Sequence, residues 1–354
     1  MEWVRSASAE DLLDAARTTL RIERFRSPFR TMTAIELGNL RHSELVDELR
    51  PLFDPGTGIA TDLADQIQLQ RAFADPATVT RLIVDLVKAA VEKFPARADD
   101  LKVGHNPGDV LDPFILAANF ELLSEGSLQR TIETSLSHKV LMKIEDLVGN
   151  LHQTTVGFMR GNFRIPEPQG SRKEGKETLH PIKNPFPGAD VGQVPTKDRP
   201  ERLRLFQVKS KTGSAKGGDG VRLGKQLQLL HDTYDADTFF VAVVGNTLRG
   251  HRSRGAVERE SPDTGVLVGS AALNELTQSS VGGELLLRTY QRAFRQASRE
   301  TGYSFAEVVA SVCEAFERDA EIDGEGFLEA WLHRAIDGPI SEQDSRAGQS
   351  PLIP

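Results

Sequence analysis

An α/β core set between two helical regions is the fold class that this sequence predicts. Three observations carry the prediction. Apolar residues recur at three- and four-residue spacing through the first third of the chain, the middle alternates such segments with short runs rich in Val, Phe and Leu, and after Gly283 the helical spacing returns. A chain of 354 residues is long enough for two or three compact units. The pattern divides it into a helical N-terminal region at 1–125, a core at 126–280 with a central mixed sheet flanked by helices, and a helical C-terminal region at 281–354 with a frayed tail after Asp337.

Taken in order, residues 9–22, 34–52 and 78–94 each show helical spacing, and Asp54-Pro55-Gly56 and Asn106-Pro107-Gly108 punctuate the later ones. The longest helix is predicted at 128–155, where Ile132, Leu136, Val140, Ile144, Leu147 and Leu151 form one apolar stripe. A polar stretch at 161–183, rich in Gly, Pro and Lys, holds too few apolar residues for a buried element. A short strand is predicted around 189–194 and a clear one at 203–211. The glycines of 213–220 form a loop leading into a helix at 221–233. Residues 238–244 read as a buried strand and 265–269 as another; amphipathic helices at 285–298 and 305–316 follow.

Composition removes several functional classes. Cys313 is the single cysteine, which excludes an internal disulfide and a Cys-rich zinc site. The eight histidines show neither His-X3-His nor His-Glu-X-X-His spacing, and no serine lies in Gly-X-Ser-X-Gly. Gly224-Lys225 invites a phosphate-loop reading, but the first glycine of that pattern falls at Asp219, and Gln226 replaces the required Ser or Thr. Asp319, Glu321, Asp323 and Gly324 resemble the start of a calcium loop, yet Ala330 stands where the closing glutamate belongs. No apolar run approaches the roughly 20 residues that cross a bilayer. The opening Met1-Glu2-Trp3-Val4-Arg5 lacks the basic start and apolar core of a secretory signal. A cytoplasmic protein with no membrane association is therefore expected.

Net charge is −8, but its distribution is uneven. Residues 202–225 carry a local balance of +6, 160–183 and 249–259 each carry +3, and 300–346 carry −9. A polyanion responds to the local field, because phosphate contacts act over about a Debye length.

The chemistry concentrates on two segments. In the strand at 203–211 the side chains alternate, so Leu203, Leu205, Gln207, Lys209 and Lys211 share one face, which turns polar after Leu205. Seventeen residues before Gln207 lies Asp190, in the sequence Pro187-Gly188-Ala189-Asp190-Val191. The Pro and Gly make a turn from which Asp190 starts a short strand. An acid there, beside an amide oxygen and an ammonium on the next strand, is able to hold Mg²⁺ through oxygen ligands, while Lys209 stabilises charge or positions a nucleophile.

Asp190 followed by Gln207-Val208-Lys209 resembles the signature of the PD-(D/E)XK nucleases, a superfamily that includes many type II restriction endonucleases. The resemblance covers about residues 128–278 and implies a restriction-endonuclease-like core. It further implies Asp190 as metal ligand, Gln207 in the place of the second acid, the Val208 backbone carbonyl as a further ligand, and Lys209 as the catalytic lysine. Two departures stand out: Gln replaces the usual Glu or Asp, and Pro187-Gly188-Ala189-Asp190 replaces Pro-Asp. Gln brings no charge and cannot act as a base. Glu145, on the helix at 128–155, is the candidate for a second acid in the metal site, because some relatives recruit one from this helix.

The expected activity is Mg²⁺-dependent, site-specific cleavage of double-stranded DNA by a metal-activated water, carried out by a homodimer matched to a palindromic site. DNA contacts are expected from Lys183, Lys211 and Lys216 beside the strand pair and from Arg249, Arg252 and Arg254 after the strand at 238–244. Two alternatives remain open at this point: a structure-specific, repair or modification-dependent nuclease, and a non-catalytic DNA-binding protein on the same fold.

Overall fold

The computed structural model describes residues 2–96, 112–166, 186–195, 202–211, 219–245, 252–323, 326 and 328, with only the backbone described at Ser210, Lys211, Asp219, Arg252, Ser253 and 319–323. The chain divides into two compact units. One comprises Met1–Val87 and Val148–Ala297, the other Lys88–Leu147 and Ser298–Pro354.

The first unit opens with helices α1 (Glu2–Ser6), α2 (Ala9–Leu20), α3 (Ala34–Gly38), α4 (His42–Leu49), α5 (Ile59–Ala72) and the start of α6 (Pro76–Val91). Local chemistry sets several boundaries. Ser8 and Asp11 form a reciprocal capping box at the start of α2, and Thr33 and Glu36 do the same for α3. Leu12, Leu13, Leu37, Leu45, Leu63 and Ile67 point into one core from four helices. The single helix expected at 34–52 is broken. Gly38 ends α3 where its backbone meets the Arg71 side chain, so closely that a Cβ would lie 2.2 Å from Arg71 Cδ. A new start follows, with the Arg41 N–H donating to Glu44 at 2.7 Å. Helix α5 lies within the helical N-terminal region but outside the three segments singled out there, because it buries polar Gln66 and Gln68 beside its Leu and Ile.

The sheet has five strands in the order β1 (Asn162–Arg164), β2 (Val191–Gln193), β3 (Arg204–Lys211), β4 (Asp237–Val244) and β5 (Gly265–Val268). The first three form an antiparallel meander, and β3, β4 and β5 run parallel. Each parallel step needs a crossover. Helices α9 (Asp219–Tyr234) and α10 (Arg252–Glu260) supply them, and α11 (Ser270–Thr277) follows β5. Strand β1 lies at the start of the polar stretch 161–183; its residues are half-buried or exposed, and three suffice because each pairs with β2. Helix α10 carries Arg252 and Arg254, from which DNA contacts are expected, and buries Ala256 and Val257. Gly224 is a packing glycine; a Cβ there would meet Glu260 Cβ at 2.7 Å and the Val257 backbone at 3.2 Å, which is how closely α9 and α10 approach.

The second unit holds α7 (Pro113–Leu122), most of α8 (Leu128–Gly157) and α13 (Phe305–Asp323), and α12 (Gly282–Thr301) ends in it. Its core joins Leu116, Ile132, Leu136, Val309, Val312 and Phe316. Among the described residues, no helix is long and apolar enough to cross a membrane.

Candidate active site

Phe186-Pro187-Gly188-Ala189 is a tight turn closed by the Ala189 N–H donating to the Phe186 carbonyl at 3.1 Å. Gly188 has φ +92, a conformation that favours glycine, and a Cβ there would lie 2.7 Å from Gln226 Cβ on α9. The turn delivers Asp190 to the head of β2. The Asp190 N–H donates to the Phe206 carbonyl at 2.8 Å, while Val191 is itself the register partner of Phe206. Two successive residues thus face one, a bulge that re-aims the side chain at its head.

The re-aimed carboxylate lies against β3. Asp190 Oδ2 accepts from Gln207 Nε2 at 2.5 Å and from the Val208 N–H at 2.7 Å. Gln207 is 4% exposed, in a central strand rather than at an open rim. Its neighbours explain this: the face carrying Leu203 and Leu205 packs with Leu230 of α9, and Gln207 lies in register with Phe240, which packs on Leu223 and Leu227. The β3–β4 register is uninterrupted from Arg204 to Lys209, so strict alternation holds and Lys209 shares the face of Gln207. Lys209 is half-buried, two residues or about 6.6 Å further along the strand.

Alternate residues of a strand turn both N–H and C=O toward the same neighbour. The Phe206 carbonyl and the Val208 N–H both meet Asp190, so the Val208 carbonyl also points to that side, beyond the last β2 residue in register. The oxygen donors here are therefore one carboxylate, one backbone carbonyl and an amide. As oriented, the Gln207 nitrogen and not its oxygen meets Asp190; a half-turn of the amide would exchange them. Mg²⁺ takes hard oxygen ligands, one or two carboxylates among them, and keeps several waters. The donor set fits that ion in kind. Among the described residues, no group of three or more His, Cys, Asp or Glu is placed to hold a metal. Glu145 is exposed on the part of α8 that belongs to the second unit.

The basic residues divide sharply. Lys183, Lys216 and Arg249 lie outside the described residues, as do the side chains of Lys211 and Arg252. Arg254 is half-buried on α10 and bonded to Glu258 at 2.6 Å. Arg204 is a structural cation. It pairs with Glu275 of α11, donates to Gln193 at 3.3 Å and stacks 4.6 Å over the Phe239 ring. Arg202 pairs with Asp235 at 2.9 Å, and Arg160 lies over the Trp3 ring at 4.6 Å. The local balance of +6 at 202–225 thus overstates the field that a ligand meets. Arg222 was not singled out by sequence; it donates to Gln226 at 3.3 Å, beside the Gly188 turn. A helical i, i+4 spacing was the available signal, but only the fold brings that helix to the turn.

No protein-family model matches this chain, and a comparison with curated protein sequences finds no match.

Proposed function

We propose that this chain is a Mg²⁺-dependent endonuclease of double-stranded DNA, with a restriction-endonuclease-like core and a Gln-X-Lys form of the PD-(D/E)XK site. One observation carries the reading: the Asp190 carboxylate meets Gln207 and Val208 of the neighbouring strand at 2.5 and 2.7 Å, with Lys209 on the same face. The element order supports it, since helix α8, strands β1, β2 and β3, helix α9 and strand β4 follow one another.

A divalent ion held there supplies Lewis acidity toward a phosphodiester and makes water a stronger nucleophile at neutral pH. The chain's own groups do the rest. Asp190 provides the one full negative charge, and the bulge at 190–191 fixes where it points. Gln207, buried and bonded to it, limits its motion. Lys209 sets an ammonium where charge develops on a transferring phosphoryl group, and its partial burial leaves that charge less screened than a surface lysine's. A homodimer would present two such sites to a palindromic sequence.

The test compares the parent chain with Lys209→Ala on unmethylated plasmid or phage DNA with Mg²⁺, together with binding in Ca²⁺. Discrete fragments from the parent, a loss of at least a hundredfold in the variant, and persistent binding are expected. A smear, or cutting of modified or branched DNA alone, would replace site-specific cleavage by a repair or modification-dependent activity. The neutral Gln207 amide against Asp190, where the signature has a second acid, favours one further reading, a DNA-binding protein without hydrolysis. Binding by the parent with no cleavage of any DNA would establish that reading.

A further inference from the structure

Helix α7 is apolar along nearly its whole length, with Glu121 its single charged residue. A helix apolar on every side belongs in an interior. Within its own unit, however, α7 buries only Leu116 and Asn119. Leu116 enters the core with Ile132 and Phe316, and Asn119 Nδ2 donates to the Thr131 carbonyl at 3.0 Å and to Ser135 Oγ at 2.9 Å. The opposite side leaves Phe114 71%, Ile115 65% and Leu122 79% exposed, and Leu123, which caps the helix, is 70% exposed.

We propose that this face docks a second copy of the chain, α7 crossing α7 about a twofold axis at Ala118. Three arguments select that occupant. Phe114, Ala118 and Leu122 are spaced by four, so they form one stripe with its smallest member, itself exposed, at the centre. An antiparallel crossing at Ala118 sets Phe114 of each copy against Leu122 of the other, and the small central residue permits close approach. The area also suffices. Phe114, Ile115 and Leu122 at this exposure, with the exposed Ala118 between them, offer on the order of 500 Å² per copy, so two copies bury about 1,000 Å², the threshold for a specific interface. Finally, a lipid surface is disfavoured. Helices that lie on membranes carry Lys or Arg beside the apolar face, whereas Asp112, Glu121 and Glu125 flank this one, and Arg130 is paired with Glu125 at 3.1 Å. The inference stands apart from the nuclease reading and holds whatever the chain acts on.

Sedimentation equilibrium of the full chain at micromolar concentration should give twice the chain mass of 38.9 kDa. Phe114→Glu combined with Leu122→Glu should give the single-chain mass with an unchanged helical circular dichroism spectrum. In a Cys313→Ser background, Ala118→Cys should form a covalent dimer on mild oxidation, because a residue on the axis meets its own copy, while Glu125→Cys should not. A parent chain that sediments as a monomer overturns the proposal. So does a dimer that survives the double substitution, or one in which Ala118→Cys fails to cross-link. If the double variant does not fold, the Ala118→Cys result decides alone.

Discussion

Asp190 Oδ2 accepts from the Val208 N–H, which any residue would supply, and from the Gln207 side-chain amide. Replacing that donor by an acid would set two carboxylates within hydrogen-bond reach, where like charges cannot both ionise without opposition. Gln207→Glu should therefore destabilise the chain in EDTA by about 1–3 kcal/mol, the range for disrupting a buried polar contact. Millimolar Mg²⁺ should then raise its melting midpoint more than the parent's, because a cation turns the repulsion into a second ligand charge. Equal responses of the two proteins to Mg²⁺ would remove Asp190 and position 207 from any metal site. Gly188 belongs to the same residue-scale logic: its left-handed φ and its contact with Gln226 both exclude a side chain, so the turn that aims Asp190 has one admissible residue.

At the scale of elements, α8 is joined to α12 through a buried polar pair within the first unit. His152 is 7% exposed, and its Nδ1 lies 3.1 Å from the Tyr290 hydroxyl. Burial pushes the imidazole down to about 4 and pushes the Tyr290 phenol up. The sign follows from proton counting. Between the unfolded value near 6.5 and the folded value near 4 the unfolded chain binds more protons, so stability rises with pH across that window. This contribution is complete above about pH 6.5 and is lost as pH falls toward 4, amounting to no more than about 3 kcal/mol. His152→Gln keeps a partner for the Tyr290 hydroxyl and should flatten the slope of urea-derived stability between pH 4 and 6.5. An unchanged slope would place the titrating group elsewhere. Arg71 shows the other kind of buried cation: burial pushes it down to about 10, and it donates to the Thr277 carbonyl and the Gln278 carbonyl at the end of α11, where helix carbonyls lack partners.

Across the whole molecule, an excess of acids coexists with a central region of basic residues, and those residues do two different things. Arg204 ties β3 to α11 through Glu275, whereas Lys209 stands on the face that bears Gln207. If the chain binds DNA as proposed, the salt dependence of that binding separates the roles, because each phosphate contact adds about 0.9 to the slope of log affinity against log salt. Lys209→Ala should lower that slope by about one. Arg204→Met should leave it unchanged while lowering stability by about 1–3 kcal/mol, the range for leaving a hydrogen-bonding partner unsatisfied, because the pair with Glu275 is only partly buried. Titrations at several salt concentrations, paired with urea melts, check both statements. A reduced slope in Arg204→Met would make that residue a DNA contact.

Much was legible in the sequence where a property is local. Side-chain spacing follows from backbone geometry, so the helix expected at 128–155 is observed at Leu128–Gly157, and the strands expected at 203–211 and 238–244 at Arg204–Lys211 and Asp237–Val244. The alternation along β3 likewise puts Gln207 and Lys209 on one face by spacing alone. What the sequence could not determine depends on partners far along the chain. Arg204 is engaged by an acid 71 residues away and Gly224 by the backbone of α10, and β1 exists because β2 pairs with it. The bulge that turns the Asp190 carboxylate onto β3 is of the same kind, since hydrogen bonds and close packing between distant segments are decided only when the chain is folded.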